Sequence, residues 1–114
     1  MARYIPSRGD VVWLTFHPQA GHEQSGRRPA FVVSPRAYNK KVGLFLVCPI
    51  TSREKGYPFE VQIATKSGIT GVVLADQIKS LDWKARQAEF VEEAPQNLIE
   101  EVTARILPLV DERI

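Results

Sequence analysis

Residues 23–34 read E-Q-S-G-R-R-P-A-F-V-V-S and join a polar segment to a predicted buried strand. Arg27 and Arg28 are adjacent, and the ring of Pro29 fixes the backbone directly after them. The apolar residues 30–33 then predict the strand. A charged loop that leads into a rigid strand suits a functional site, because the strand holds the loop in position. We therefore treat this stretch as the one around which the fold and the site are organised.

Other strands are predicted on both sides of this stretch. Each predicted strand is a segment that is rich in β-branched and aromatic residues, continuously apolar, or alternately apolar and polar. Turn residues separate these segments. The segments are residues 11–16, 44–50, 59–63, 71–75 and a last short strand at 87–91. Five or six short strands with turns between them imply a small, curled antiparallel sheet or barrel.

The periodicity changes after Pro95, where apolar residues recur every three or four positions. This spacing predicts an amphipathic C-terminal helix that closes the sheet. We expect Pro108 to kink or end that helix about one turn before the C-terminus.

Length and composition favour one cytoplasmic domain. The 114 residues are enough for a single domain, residues 1–114, with a real core. The chain has no run of about eighteen apolar residues, and its N-terminus lacks the apolar region of a secretory signal. We therefore expect a cytoplasmic location and no membrane partner.

The charge is distributed unevenly. Residues 1–55 contain nine Lys or Arg against three Asp or Glu, whereas residues 56–114 contain six against ten. A basic surface that faces phosphate explains this asymmetry. On charge alone, solvated charges that happen to cluster are the favoured explanation.

The residue types argue against a metal cofactor. Cys48 is the only cysteine and lies within an apolar run, so we expect a small buried hydrophobe rather than a zinc ligand or nucleophile. The carboxylates of the basic half are scattered, and His17 and His22 lack the spacing of a helical zinc site. We expect no cofactor and no metal.

Cleavage of RNA without a metal remains open, because the substrate supplies its own 2′-hydroxyl nucleophile. Such an enzyme needs proton-transfer groups and donors aimed at the charge that grows on phosphorus. Arg27 and Arg28 are donors suited to phosphate, Glu23 is a candidate base, and Thr51 is a candidate hydroxyl donor. His22 would suit acid–base chemistry, but we interpret it, like His17, as an exposed loop residue. From sequence alone, an arginine at a strand start more often forms a surface ion pair, and a threonine at the position of Thr51 more often forms a turn.

Several motifs together resemble the MazF/PemK family of toxin endoribonucleases. They span nearly the whole chain in order. They are G-D-V-V-W-L-T-F-H-P at 9–18, G-H-E-Q-S-G-R-R-P-A-F-V-V-S-P at 21–35, C-P-I-T-S at 48–52, K-G-Y-P-F-E-V at 55–61 and L-A-D-Q-I-K-S at 74–80.

The resemblance implies a fold, a reaction and partners. The fold would be mainly β with α: a small SH3-like barrel of about five to seven strands with a C-terminal helix, in a homodimer. The reaction would be metal-independent, sequence-specific cleavage of single-stranded RNA, chiefly mRNA, that leaves a 2′,3′-cyclic phosphate and a 5′-hydroxyl. The partner would be the cognate antitoxin of a type II toxin–antitoxin system.

The resemblance also assigns roles to residues. Arg28 and Thr51 occupy the positions of the family's catalytic arginine and threonine. The residues expected to contact RNA are Glu23, Gln24, Gln77 and Lys79. No role carries over to Arg27.

Aromatic residues and one alternative function complete the predictions. Trp13 is interpreted as a core residue, Trp83 as packing in the core or a dimer, and Tyr57 as a platform on which a base stacks. The alternative is a non-catalytic toxin of the same fold that binds and poisons a protein target such as DNA gyrase. The end of the C-terminal helix has no aromatic anchor for such binding, which argues mildly against it.

Overall fold

A computed structural model describes residues 3–16 and 26–113 of the protein. Within them, seven strands precede a C-terminal helix. The strands are β1 (Asp10–Thr15), β2 (Arg27–Val32), β3 (Leu44–Thr51), β4 (Glu60–Ala64), β5 (Thr70–Leu74), β6 (Lys79–Asp82) and β7 (Glu89–Glu93), and the helices are α1 (Arg36–Val42), a 3₁₀ turn (Ala75–Gln77) and α2 (Gln96–Val110). The predicted mainly β fold with a C-terminal helix is confirmed.

Three of the predicted elements differ from those observed by two or more residues at an end. Strand β2 begins at Arg27, three residues earlier than the apolar pattern indicates, because the backbone of both arginines already pairs with β1. Strand β7 lies two residues later than predicted. Helix α2 continues for two residues past Pro108 before it ends.

The sheet curls because β3 pairs with three different strands. Its order is β4-β5-β3-β2-β1-β7, and β6 also pairs with β3. Strand β6 pairs along the first half of β3, whereas β5 pairs with its last two residues, Ile50 and Thr51. One long strand thus belongs to both parts of the sheet, and its end forms a corner.

Each face of the sheet has its own core. Val11 packs with Leu98 and Val102 of α2 on one face, whereas Val12 and Leu14 pack with Trp83 on the other. This follows from strand geometry, since successive side chains point to opposite faces. The Trp83 indole is buried, which confirms the predicted packing role, and donates a hydrogen bond of 2.9 Å to the carbonyl of Asn39.

Candidate active site

An open cleft of ≈ 590 Å³ lies where β2 begins and β3 ends. Two walls face each other across it. The strand wall consists of Arg28, Pro29, Ile50 and Thr51, and the hairpin wall consists of Ser67, Gly68, Ile69 and Thr70. Trp13, Ser52, Arg53 and Val91 complete the lining.

The strand wall brings together the two residues predicted to be catalytic. Strands β2 and β3 are antiparallel, and Ala30 is paired with Pro49. Arg28 lies two residues before Ala30 and Thr51 two residues after Pro49, so the same register brings them side by side. The Arg28 side chain is exposed and Thr51 is half-buried. Both therefore present polar groups to a ligand in the cleft.

The position of Thr51 is fixed from two sides. Its Oγ1 accepts a hydrogen bond of 3.1 Å from the backbone N–H of Arg53, which leaves the hydroxyl proton available to donate. On the other side, Gly71 of β5 has a φ of 140°, and a Cβ there would lie 2.1 Å from the carbonyl oxygen of Thr51. Only a glycine lets the two backbones approach this closely.

The neighbouring arginine, Arg27, has a different environment from Arg28. Its guanidinium donates to Thr15 Oγ1 at 3.2 Å and to the carbonyl of Gln87 at 2.8 Å. It also donates to the carbonyl of Arg86 and forms an ion pair with Glu89, each at 3.2 Å. Arg27 thus ties β1 and β2 to the turn before β7, and its interactions are structural.

The expectation that Trp13 is a core residue is wrong. Its side chain is 37% exposed and lines the cleft. The reason is its register: Trp13 is opposite Pro29, which belongs to the strand wall, whereas Val11 two residues earlier reaches the core beneath α2. Trp13 thus lies on the same side of β1 as Val11, but beyond the edge of the core beneath α2. The continuously apolar run at residues 11–14 gives no signal of this exposure.

The other predicted RNA contacts are not brought together in this cleft. Among the residues that the structure describes, Gln77 and Lys79 are exposed but do not line it. Tyr57 donates a hydrogen bond of 2.8 Å to the Asp76 carboxylate, which raises the pKa of the phenol. Glu23 and Gln24 lie outside the described residues. So do His17 and His22.

Two further observations concern the only cysteine and the potential metal ligands among the described residues. Cys48 is buried as predicted, and burial raises the pKa of its thiol to about 12, so it is a poor nucleophile. Within residues 3–16 and 26–113, no three His, Cys, Asp or Glu side chains form a group suited to a metal ion. In the same ranges, neither α1 nor α2 has the length and apolar character needed to cross a bilayer.

Comparison with known sequences gives consistent matches. Residues 7–110 match the family described as PemK-like, MazF-like toxin of type II toxin–antitoxin system. The chain is 50% identical over 88 residues to the endoribonuclease toxin MazF of Escherichia coli, covering 77% of this chain and 78% of that protein. It is 39% identical over 111 residues to the endoribonuclease toxin ChpB of the same species, covering 91% and 93%.

Comparison with solved structures agrees. The fold matches the crystal structure of MazF from Deinococcus radiodurans with a TM-score of 0.84 and 55% identity, covering 95% of this chain and 98% of the other. It also matches a chain from the MazE–MazF crystal structure of that species with a TM-score of 0.83 and 48% identity, covering 95% and 97%.

Proposed function

This chain belongs to the PemK-like, MazF-like family of type II toxin–antitoxin toxins, and we propose that it is a metal-independent, sequence-specific endoribonuclease that cleaves single-stranded mRNA. The observation that supports this most directly is the meeting of Arg28 and Thr51 on the strand wall of an open cleft. Relatives with at least 36% identity are named endoribonucleases, which points in the same direction.

The reaction needs no metal because the RNA provides the nucleophile. The 2′-hydroxyl oxygen attacks the adjacent phosphorus, and the bond from phosphorus to the 5′-oxygen breaks. The attacking hydroxyl loses its proton and the leaving oxygen gains one, so the products are a 2′,3′-cyclic phosphate and a 5′-hydroxyl. The protein's task is to hold the phosphate and stabilise the charge that develops on it.

Arg28 and Thr51 divide this task. The planar guanidinium of Arg28 donates several hydrogen bonds to the phosphate oxygens, whose charge rises in the transition state. The Thr51 hydroxyl holds one phosphate oxygen. Because an arginine stays protonated in proteins, Arg28 is not assigned as the base. Glu23 remains a candidate for that role.

RNA recognition would use the rest of the cleft and the surface around it. Proteins specify single-stranded RNA through the edges of unstacked bases and through aromatic stacking. Trp13 is partly exposed and lines the same cleft as Arg28, so we add it to the predicted RNA contacts. The contacts proposed from the resemblance are Glu23, Gln24, Gln77 and Lys79.

We further propose a cytoplasmic homodimer that is inhibited by its cognate antitoxin. An acidic, disordered antitoxin segment would fold onto the cleft and compete with RNA for Arg28. The MazE–MazF structures of a 48% identical relative support the antitoxin partner.

The test is cleavage of a long, defined single-stranded RNA in EDTA, with primer extension to map the cut sites. We compare wild type with Arg28→Ala and Thr51→Val, and with Lys40→Ala as a control that removes an exposed cation from α1. Recurrent cuts at one short sequence are expected in wild type and in the control. Arg28→Ala should cleave about 100- to 1000-fold more slowly, the loss typical of removing a transition-state donor.

Either of two results would count against the proposal. One is a folded, antitoxin-free wild type that leaves the RNA uncut. The other is an Arg28→Ala variant that cuts as fast as wild type. The first result would favour a toxin that acts on a protein target.

A further inference from the structure

Glu92 of β7 contacts the turn that forms the hairpin wall, residues 65–69. One carboxylate oxygen accepts the Ser67 hydroxyl at 2.7 Å and the Ser67 backbone N–H at 3.0 Å. The other accepts the backbone N–H of Lys66 at 3.2 Å. A single side chain thus ties this turn to a strand 25 residues away in sequence.

The 65–69 turn has few other ties to the body of the sheet. Strand β4 is at one end of the strand order. Strand β5 pairs with β3 through Val73 and Val72, so the hairpin extends past the end of β3. Ile69 packs against the core and is the hydrophobic contact that the turn makes with it. Hydrogen bonds between Thr65 and Ile69 hold the turn together internally.

Space lies on both sides of the hairpin. The cleft is on one side, and a second hollow of ≈ 170 Å³, lined in part by Thr65 and Glu92, is on the other. Among the described residues of the turn, only Ile69 restricts the distance between the hairpin wall and the strand wall by close packing. The contacts of Glu92 supply the polar constraint on that distance.

An irregularity in β7 directs Glu92 toward the turn. Val11 pairs with Glu92 but Val12 pairs with Phe90, so Val91 is an extra residue in the ladder. Such a bulge changes the direction in which neighbouring side chains point. Val91 consequently lines the cleft while Glu92 contacts the hairpin beside it.

We propose that Glu92 is a positioning residue for RNA: by holding the 65–69 turn against β7, it sets the width of the cleft opposite Arg28 and Thr51. The inference rests on the proposed function, because it assigns this wall to the binding of the RNA substrate. Glu92 does not touch the reacting phosphate in this proposal. Its loss should weaken RNA binding and leave the chemical step nearly intact.

The experiment uses a short fluorogenic RNA that contains the mapped cut sequence. Glu92→Ala removes three solvent-exposed hydrogen bonds. We expect it to raise KM about 3- to 10-fold, with kcat within about twofold of wild type. Glu92→Gln keeps one acceptor oxygen and should recover part of the affinity. Glu93→Ala, an exposed carboxylate at the next position, is the matched control and should behave as wild type.

A second readout does not depend on RNA. Amide exchange at Lys66 and Ser67 should be faster in Glu92→Ala than in wild type and unchanged in Glu93→Ala. Unchanged exchange, or a KM equal to that of wild type, would overturn the inference while leaving the nuclease intact. If wild type cuts no RNA, the proposed function fails and the inference fails with it.

Discussion

The two walls of the cleft are built in different ways. The strand wall continues directly from Ala30 and Cys48, which are fully buried in paired strands. The hairpin wall is a turn that extends past the end of β3, with Ile69 and the carboxylate of Glu92 as its ties. One wall is thus fixed by a core and the other by a few contacts.

This difference suits the proposed division of labour. Groups that act on a transition state must be held to within a fraction of an ångström, which a core achieves. A wall that selects bases can move slightly at small cost, since loops tolerate both motion and sequence change. The comparison predicts that disturbing the strand wall damages the chemical step, whereas disturbing the hairpin wall changes binding.

Among variants that keep both Arg28 and Thr51, Gly71→Ala should have the largest effect, because Gly71 lies against the backbone of Thr51 in the strand wall. The new Cβ would lie 2.1 Å from the carbonyl oxygen of Thr51, so the end of β3 must shift. A displacement of about 1 Å near a reacting group can lower the rate about 100-fold. The strained φ should also lower the free energy of unfolding by about 1–3 kcal/mol. Single-turnover cleavage and urea unfolding measure the two effects.

Gly68→Ala is the matched control for this variant. Gly68 also has a positive φ, 95°, but a Cβ there meets no atom within 4 Å. It should lose stability while keeping the single-turnover rate. Equal losses of rate in both variants would show that backbone strain alone is responsible, and the distinction between the walls would fail.

Arg27→Ala should have a smaller and different effect from the removal of Arg28. Arg27 ties β1 and β2 to the turn before β7 and is not part of the cleft lining. We expect a loss of about 1–2 kcal/mol in the free energy of unfolding, since charged hydrogen bonds are lost from a partly exposed site. The cleavage rate at a temperature where the variant is folded should stay within about threefold of wild type. A large loss of rate with unchanged stability would make Arg27 part of the site.

The contrast between these two arginines also shows what the sequence can predict. Strand periodicity and the matching motifs predicted the fold, the central strand β3 and the pair Arg28–Thr51, since each depends on local pattern. Nothing local shows which partners Arg27 has, because two of them, the carbonyls of Arg86 and Gln87, lie about 60 positions away. The prediction that Trp13 is a core residue fails for the same reason, because the exposure of Trp13 depends on how far the core beneath α2 extends along β1. The Glu92 contact depends on a bulge that no spacing rule indicates.

The smallest effect expected is a dependence of the Glu92 contact on pH. The hydrogen bond from the Ser67 hydroxyl is the main reason why the pKa of the Glu92 carboxyl is lowered in the folded protein. Hydrogen bonds from the backbone N–H groups of Lys66 and Ser67, and the charge of Lys66, lower this pKa further. The folded pKa is therefore below the unfolded value of about 4.3. The contact stabilises the protein above that value, and its contribution is lost as the pH falls through the folded pKa. The difference in urea midpoint between wild type and Glu92→Gln should thus stay constant from about pH 8 to about pH 5.5 and shrink only below about pH 4.5. If the difference vanished near neutral pH, the carboxylate would not be the group that holds the hairpin wall, and both walls would have to be fixed by packing alone.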